Sequence, residues 1–185
     1  MMHKNGAALA IAAAHTAAIV ALGYVLLGLA PMALFALGFV VGLALWLVTE
    51  DDATFFDIRA PYFLTLGLFV LHKIEEWEFD FFPALSRLTG VPMPQEGSPF
   101  ALLLYALAAA WLLVPCLMPR RDAFAYYLAW TFFASMGIIE LAHFGFPLFD
   151  DRPYGYFPGM ATVVALAPAA WWGLYRMKRL GSANA

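Results

Sequence analysis

The chain has 185 residues, 64% of them hydrophobic and 12% charged, with a mean hydropathy of +0.77 and a formal net charge of −3. A soluble domain is about half apolar and a quarter charged, so too few polar side chains exist here to cover a water-facing surface, which excludes a cytosolic globular domain. Ten Lys+Arg against thirteen Asp+Glu leave no basic stripe, which excludes a general nucleic-acid binder.

At about 20 residues per crossing, the apolar content fills an all-α integral membrane bundle of about six helices, read as a single domain over residues 1–185. The first span covers about 6–30. Its alanine-rich run is too long for a signal-peptide core, and no polar mature segment follows it, so retention is expected. Pro31 interrupts the run and a second span covers 32–48. One helix through both would be about twice a bilayer thick, so a tight hairpin is expected. Glu50, Asp51 and Asp52 close the second span, and a third covers 61–77 with Pro61 in its first turn. Pro83, Gly90, Pro92, Pro94, Gly97, Ser98 and Pro99 then mark a polar connection, with a short interfacial helix expected around Phe81–Leu88. Spans four, five and six cover 100–118, 123–146 and 157–175, separated by Pro119-Arg120-Arg121 and by Asp150-Asp151-Arg152-Pro153. The single cysteine, Cys116, can form no intramolecular disulfide and reads as a packing residue.

Loop charges set the expected orientation. Lys4, Arg59, Arg120, Arg121, Arg176, Lys178 and Arg179 fall on one side and Arg87 and Arg152 on the other, which places both termini in the cytoplasm. Trp77, Trp111, Trp171, Trp172, Tyr126, Tyr127 and Tyr175 lie near span ends, as an interfacial aromatic belt would.

Ionisable groups inside a membrane helix cost a few kcal/mol by insertion scales, so each one asks for a reason. Span three contains Leu71-His72-Lys73-Ile74-Glu75-Glu76-Trp77 and span five contains Ile139-Glu140-Leu141-Ala142-His143-Phe144. Helical spacing sets His72 beside Glu75 and Glu76, and Glu140 beside His143. At ~1.5 Å per residue, His72 lies about 16 Å and Glu140 about 21 Å from the cytoplasmic start of their spans, so both motifs share one outer-half layer.

His72-Lys73-Ile74-Glu75-Glu76, late in a membrane helix, resembles the signature of the HXXEE family of small multi-pass bacterial membrane proteins. Glu140-Leu141-Ala142-His143 and the Tyr156-Phe157-Pro158-Gly159-Met160-Ala161-Thr162 opening of the last span are similar to that family's second half. The resemblance implies a bacterial cytoplasmic membrane location and a site at these residues; it implies no reaction. A more distant resemblance is to the sterol-isomerase (EXPERA) fold, from which the spacing of the tryptophan after the acid departs.

The expected site is His72, Glu75, Glu76, Glu140 and His143. Imidazole with carboxylate suits zinc or non-haem iron. Paired Glu-x-x-His motifs build di-iron sites in bundles, but this chain carries one such motif and one reversed. His72 and His143 are expected as ligands, Glu76 and Glu140 as ligating or bridging groups, and Glu75 as ligand or general base. Glu75, Glu76 and Glu140 are the expected catalytic carboxylates of an enzyme taking a lipophilic small molecule from the membrane lipid. The alternatives are a metal-free acid/base isomerase, a proton- or cation-coupled transporter in which the carboxylates carry the ion, and a structural polar knot. Lys73 is expected to snorkel outward or neutralise one acid. Glu78 and Asp80 read as solvated, His15 as a satisfied core histidine, and Arg59 as a boundary charge. Tyr156, Pro158 and Gly159 read as the start of span six.

Overall fold

A computed structural model of the chain describes residues 4–50, 52–93, 95 and 97–181; Asp51 and Pro94, expected in loops, lie outside the described residues. Among the described residues, seven helical segments follow one another: α1 Gly6–Leu27, α2 Leu29–Val48, α3 Phe55–Glu78, α4 Phe81–Thr89, α5 Pro99–Arg120, α6 Ala123–Phe149 and α7 Met160–Gly181. Among the described residues, α1, α2, α3, α5 and α6 are long and apolar enough to cross a membrane. The residues of the sixth expected span form α7, which is not among these five. It is as long as α1, but Trp171, Trp172, Arg176, Lys178 and Arg179 dilute its apolar content below that of the other five.

Two helices start ahead of the prolines expected to break or open them. The first hairpin turns at Gly28 (φ +87°), not at Pro31. Pro31 sits in the opening turn of α2, where its missing N–H leaves nothing unpaired. In α3 the capping box of Thr54 and Asp57 starts the helix at Phe55, which leaves Pro61 inside it. Pro61 cannot bond the Asp57 carbonyl one turn back, and the Arg176 side chain of α7 donates to that oxygen instead (3.1 Å). Pro115 likewise cannot bond the Trp111 carbonyl, which accepts instead from the Val114 N–H in the 3₁₀ stretch of α5 and from the Tyr62 hydroxyl of α3 at 2.8 Å. Both repairs tie neighbouring helices together.

Helix α6 is the hub. Every residue from Ala125 to Met136 is buried, so this helix is apolar all round and contacts α1, α2, α5 and α7. Helix α3 packs along α7, and its Tyr62 ring meets Phe132 of α6 at 5.3 Å. This arrangement corrects part of the expected aromatic belt: Trp111, Tyr126 and Tyr127 are core side chains, whereas Trp77, Trp171, Trp172 and Tyr175 stay exposed. Cys116 is exposed, not packed. Helix α4 follows a left-handed turn at Asp80 (φ 58°) and buries Ala84 and Leu85, as expected of a short amphipathic segment.

His15 is satisfied within the core. Its Nε2–H donates to the Leu107 carbonyl (3.0 Å), and its Nδ1 accepts from the Tyr127 hydroxyl (2.9 Å), which in turn accepts from Thr16 (2.8 Å). The network joins α1, α5 and α6, well apart in its partners from the other histidines.

Candidate metal centre

Helices α3 and α6 finish, and α7 begins, at the same end of the bundle. There His72, Glu76, Glu140 and His143 each offer one donor atom to a common point, all four atoms lying within 4.8 Å of one another. His72 is fully buried and the other three are less than a tenth exposed. Two local features aim them inward. On α3, His72 and Glu76 are one turn apart and so share a face. On α6, residues Ser135–Ile139 widen into a π turn immediately before Glu140, which re-phases the helix and carries Glu140 and His143 toward α3. The Gly137 carbonyl of that turn accepts from Trp171 Nε1 of α7 (2.8 Å).

The four donors alternate. His72 Nε2 stands 3.1 Å from both Glu76 Oε1 and Glu140 Oε2, and His143 Nε2 stands 3.4 and 3.3 Å from the same two oxygens. The two imidazole rings are nearly perpendicular, with centroids 4.7 Å apart. Glu76 turns its second oxygen to Lys73 Nζ at 2.6 Å, so the lysine neutralises one acid while its stem lies beside Phe69. Among the described residues, the polar side chains facing Glu140 are the two imidazoles.

The far side of each ring fixes which nitrogen carries hydrogen. His143 Nδ1 lies 2.5 Å from the Pro158 carbonyl, which can only accept, so Nδ1 donates. His72 Nδ1 lies 2.9 Å from Thr162 Oγ1. The threonine has one hydroxyl hydrogen, and its other neighbours are acceptors: Glu75 Oε2 at 2.5 Å and the Gly159 carbonyl at 3.2 Å. Thr162 therefore accepts from His72 Nδ1–H. With Nδ1 carrying hydrogen on both rings, a neutral imidazole presents a bare Nε2 lone pair to two carboxylate oxygens, an arrangement that needs a cation or an added proton between them.

Glu75 departs from its expected place. It faces the first turn of α7, accepting from the backbone N–H of Ala161 (3.0 Å) and Thr162 (2.8 Å), the Thr162 hydroxyl, and the Tyr156 hydroxyl (2.5 Å). Four donors saturate an ionised carboxylate, and the helix N-terminus favours its charge. It has no lone pair left for the histidines. Tyr156, in the loop before α7, has its hydroxyl pKa pushed up to about 12 by partial burial and by the carboxylate it bonds to.

The segment 156–162, expected only to start the last span, also lines the site. Gly159 (φ +97°) lies against both rings: a Cβ there would stand 2.5 Å from His143 Cε1 and 2.7 Å from His72 Cε1. Phe81, Phe146 and Phe157 stand around His143 at centroid distances of 5.2, 5.7 and 6.1 Å, which sets hydrocarbon against its ring. Glu78 and Asp80 are exposed, as expected of solvated groups, and Arg59 lies over the Phe56 ring (3.8 Å).

No family model, curated protein or solved structure matches this chain, so the functional reading stands on the site itself.

Proposed function

We propose that His72, Glu76, Glu140 and His143 hold one divalent transition-metal ion, zinc or non-haem iron, in a membrane-embedded enzyme acting on a lipophilic substrate. The carrying observation is the alternating set of imidazole Nε2 and carboxylate oxygens at 3.1–3.4 Å. Nitrogen and oxygen donors bound tetrahedrally at ~2.0–2.2 Å stand about 3.3–3.6 Å from each other, close to this spacing. Charge-assisted N–H···O bonds are shorter, about 2.7–2.9 Å, and one N–H cannot serve two carboxylates well. The residue types fit as well, since imidazole and carboxylate suit both metals.

Such an ion supplies Lewis acidity or redox chemistry where water is scarce. The chain's own groups divide the remaining work. Lys73 holds Glu76 in place and offsets one of two buried charges. Glu140 lacks that anchor and is the carboxylate free to take up or give back a proton at Oε1, the oxygen not turned to the histidines. The phenylalanines around His143 keep water out, and the exposed apolar faces of α3 and α5 suit a substrate arriving from the bilayer. A bacterial cytoplasmic membrane location with both termini inside accords with the loop charges and with the HXXEE resemblance.

Metal analysis of the detergent-purified protein tests the first half. We expect about one zinc or iron per chain, lost in His72→Ala and in His143→Ala with helicity retained. A metal-free wild type would overturn the reading. Incubation with membrane lipid extract, followed by mass spectrometry, tests the second half. A lipid species altered by wild type but not by His72→Ala supports an enzyme, and an unchanged lipid profile removes it.

A further inference from the structure

Resting on that metal reading, we infer that Thr162 and Glu75 act as a pair of positioning residues, holding His72 in the one tautomer and orientation that can ligate. The pair touches no donor atom of the centre. It works through a continuous chain of hydrogen bonds. Tyr156 Oη donates to Glu75 Oε1 (2.5 Å), Thr162 Oγ1 donates to Glu75 Oε2 (2.5 Å), and His72 Nδ1 donates to Thr162 Oγ1 (2.9 Å). The direction of the last bond is forced, because the single hydroxyl hydrogen of Thr162 is spent on an acceptor. His72 Nε2 is thereby aimed at Glu76 and Glu140, with its lone pair open whenever the ring is neutral.

Metal-bound histidines commonly donate their other ring N–H to a carboxylate or carbonyl, and such outer bonds set ring orientation and basicity. Here the two histidines are tethered by different means but from one stretch of chain. His143 uses the Pro158 carbonyl, and His72 reaches a carboxylate through an interposed hydroxyl. Glu75 is itself locked by two backbone amides of the α7 N-terminus. The start of α7 and the ligand-bearing turn of α3 are therefore fixed to each other. This arrangement also accounts for the second acid of the Glu75-Glu76 pair: Glu76 faces the donors, and Glu75, about 100° round the helix, faces the tether.

The test compares Thr162→Val, which keeps shape and removes the acceptor, with Thr162→Ser, which restores it. Zinc affinity is read by competition with a chelator, and cobalt(II) substitution reports the ligand field through its visible absorption. We expect Thr162→Val to bind zinc about 10–100-fold more weakly with an altered cobalt spectrum. Thr162→Ser should lie within about threefold of wild type, because its hydroxyl rebuilds the same bond. Should the valine variant lose its helicity, Glu75→Gln takes its place with the same expectation, since an amide cannot accept all four donors. Wild-type affinity and spectrum in a folded Thr162→Val or Glu75→Gln would overturn the inference while leaving the metal centre intact. Failure of the wild type to take up zinc or cobalt would instead overturn the metal reading beneath it.

Discussion

Gly159 shows how little room the centre leaves. Its left-handed φ of +97° costs a residue with a Cβ about 1–2 kcal/mol before any contact is counted. The added carbon would then stand 2.5 Å from the His143 ring and 2.7 Å from the His72 ring, so one ring or the loop must move. Overpacking of this kind costs about 1–3 kcal/mol. Gly159→Ala is accordingly expected to weaken zinc binding at least about tenfold, by chelator competition, while the helices stay formed. Zinc binding at wild-type strength would show that the loop does not hold the rings.

The same scale shows which residues the sequence made legible. His72, Glu76, Glu140 and His143 stand out because an ionisable group in an apolar helix is expensive, and the structure brings these four together. Glu75 could not be separated from Glu76, because the choice depends on amides of α7 that carry no sequence label. Thr162, Pro158 and Gly159 gave a weaker signal still. A hydroxyl, a carbonyl and a missing Cβ cost too little in a membrane to attract attention, and only the Pro-Gly step at the head of an apolar run hinted at a turn.

Among the elements, the π turn of α6 leads directly into the site. Ser135–Ile139 holds one residue more per turn than an α-helix, and Glu140 and His143 follow directly. Deleting Ile138 should remove that extra residue and restore α geometry with Glu140 and His143 still on the shared face, because five residues of π turn sweep about as much angle as four of α-helix. The expected outcome is a protein with wild-type helicity that still binds metal. A folded deletion variant that binds no metal would mean that the turn does more than set the phase of these two donors. No periodicity in the sequence marks this turn, since a run as uniformly apolar as 123–139 has no polar face from which phase could be read. Helix ends were legible where charges set them and less so near proline. Pro31 and Pro61 read as a break and a start, yet the stronger local forces were the positive φ of Gly28 and the capping box at Thr54.

At the scale of the whole molecule, the centre lies where α3 and α6 end and α7 begins, and its donors and tethers draw on all three. An ion bound there cross-links elements that the chain joins only through long connections. Anything that binds the native state and not the unfolded one stabilises it, by about 2.7 kcal/mol when free ligand is a hundred times its dissociation constant. For a chain of this size, about 1 kcal/mol moves the melting temperature by about 2–4 °C, so loading should raise it by about 5–10 °C. Six tryptophans, with Trp46, Trp111 and Trp130 buried in the core, make intrinsic fluorescence a suitable reporter in detergent. Chelation should lower the transition of wild type by that amount, and zinc should restore it. His143→Ala, which removes a donor without touching the π turn, should melt at one temperature whether chelator or zinc is present. If the variant responds to zinc as wild type does, the stabilising ion sits elsewhere, and the four donors at the end of α3 and α6 are a polar knot holding its own charges in balance.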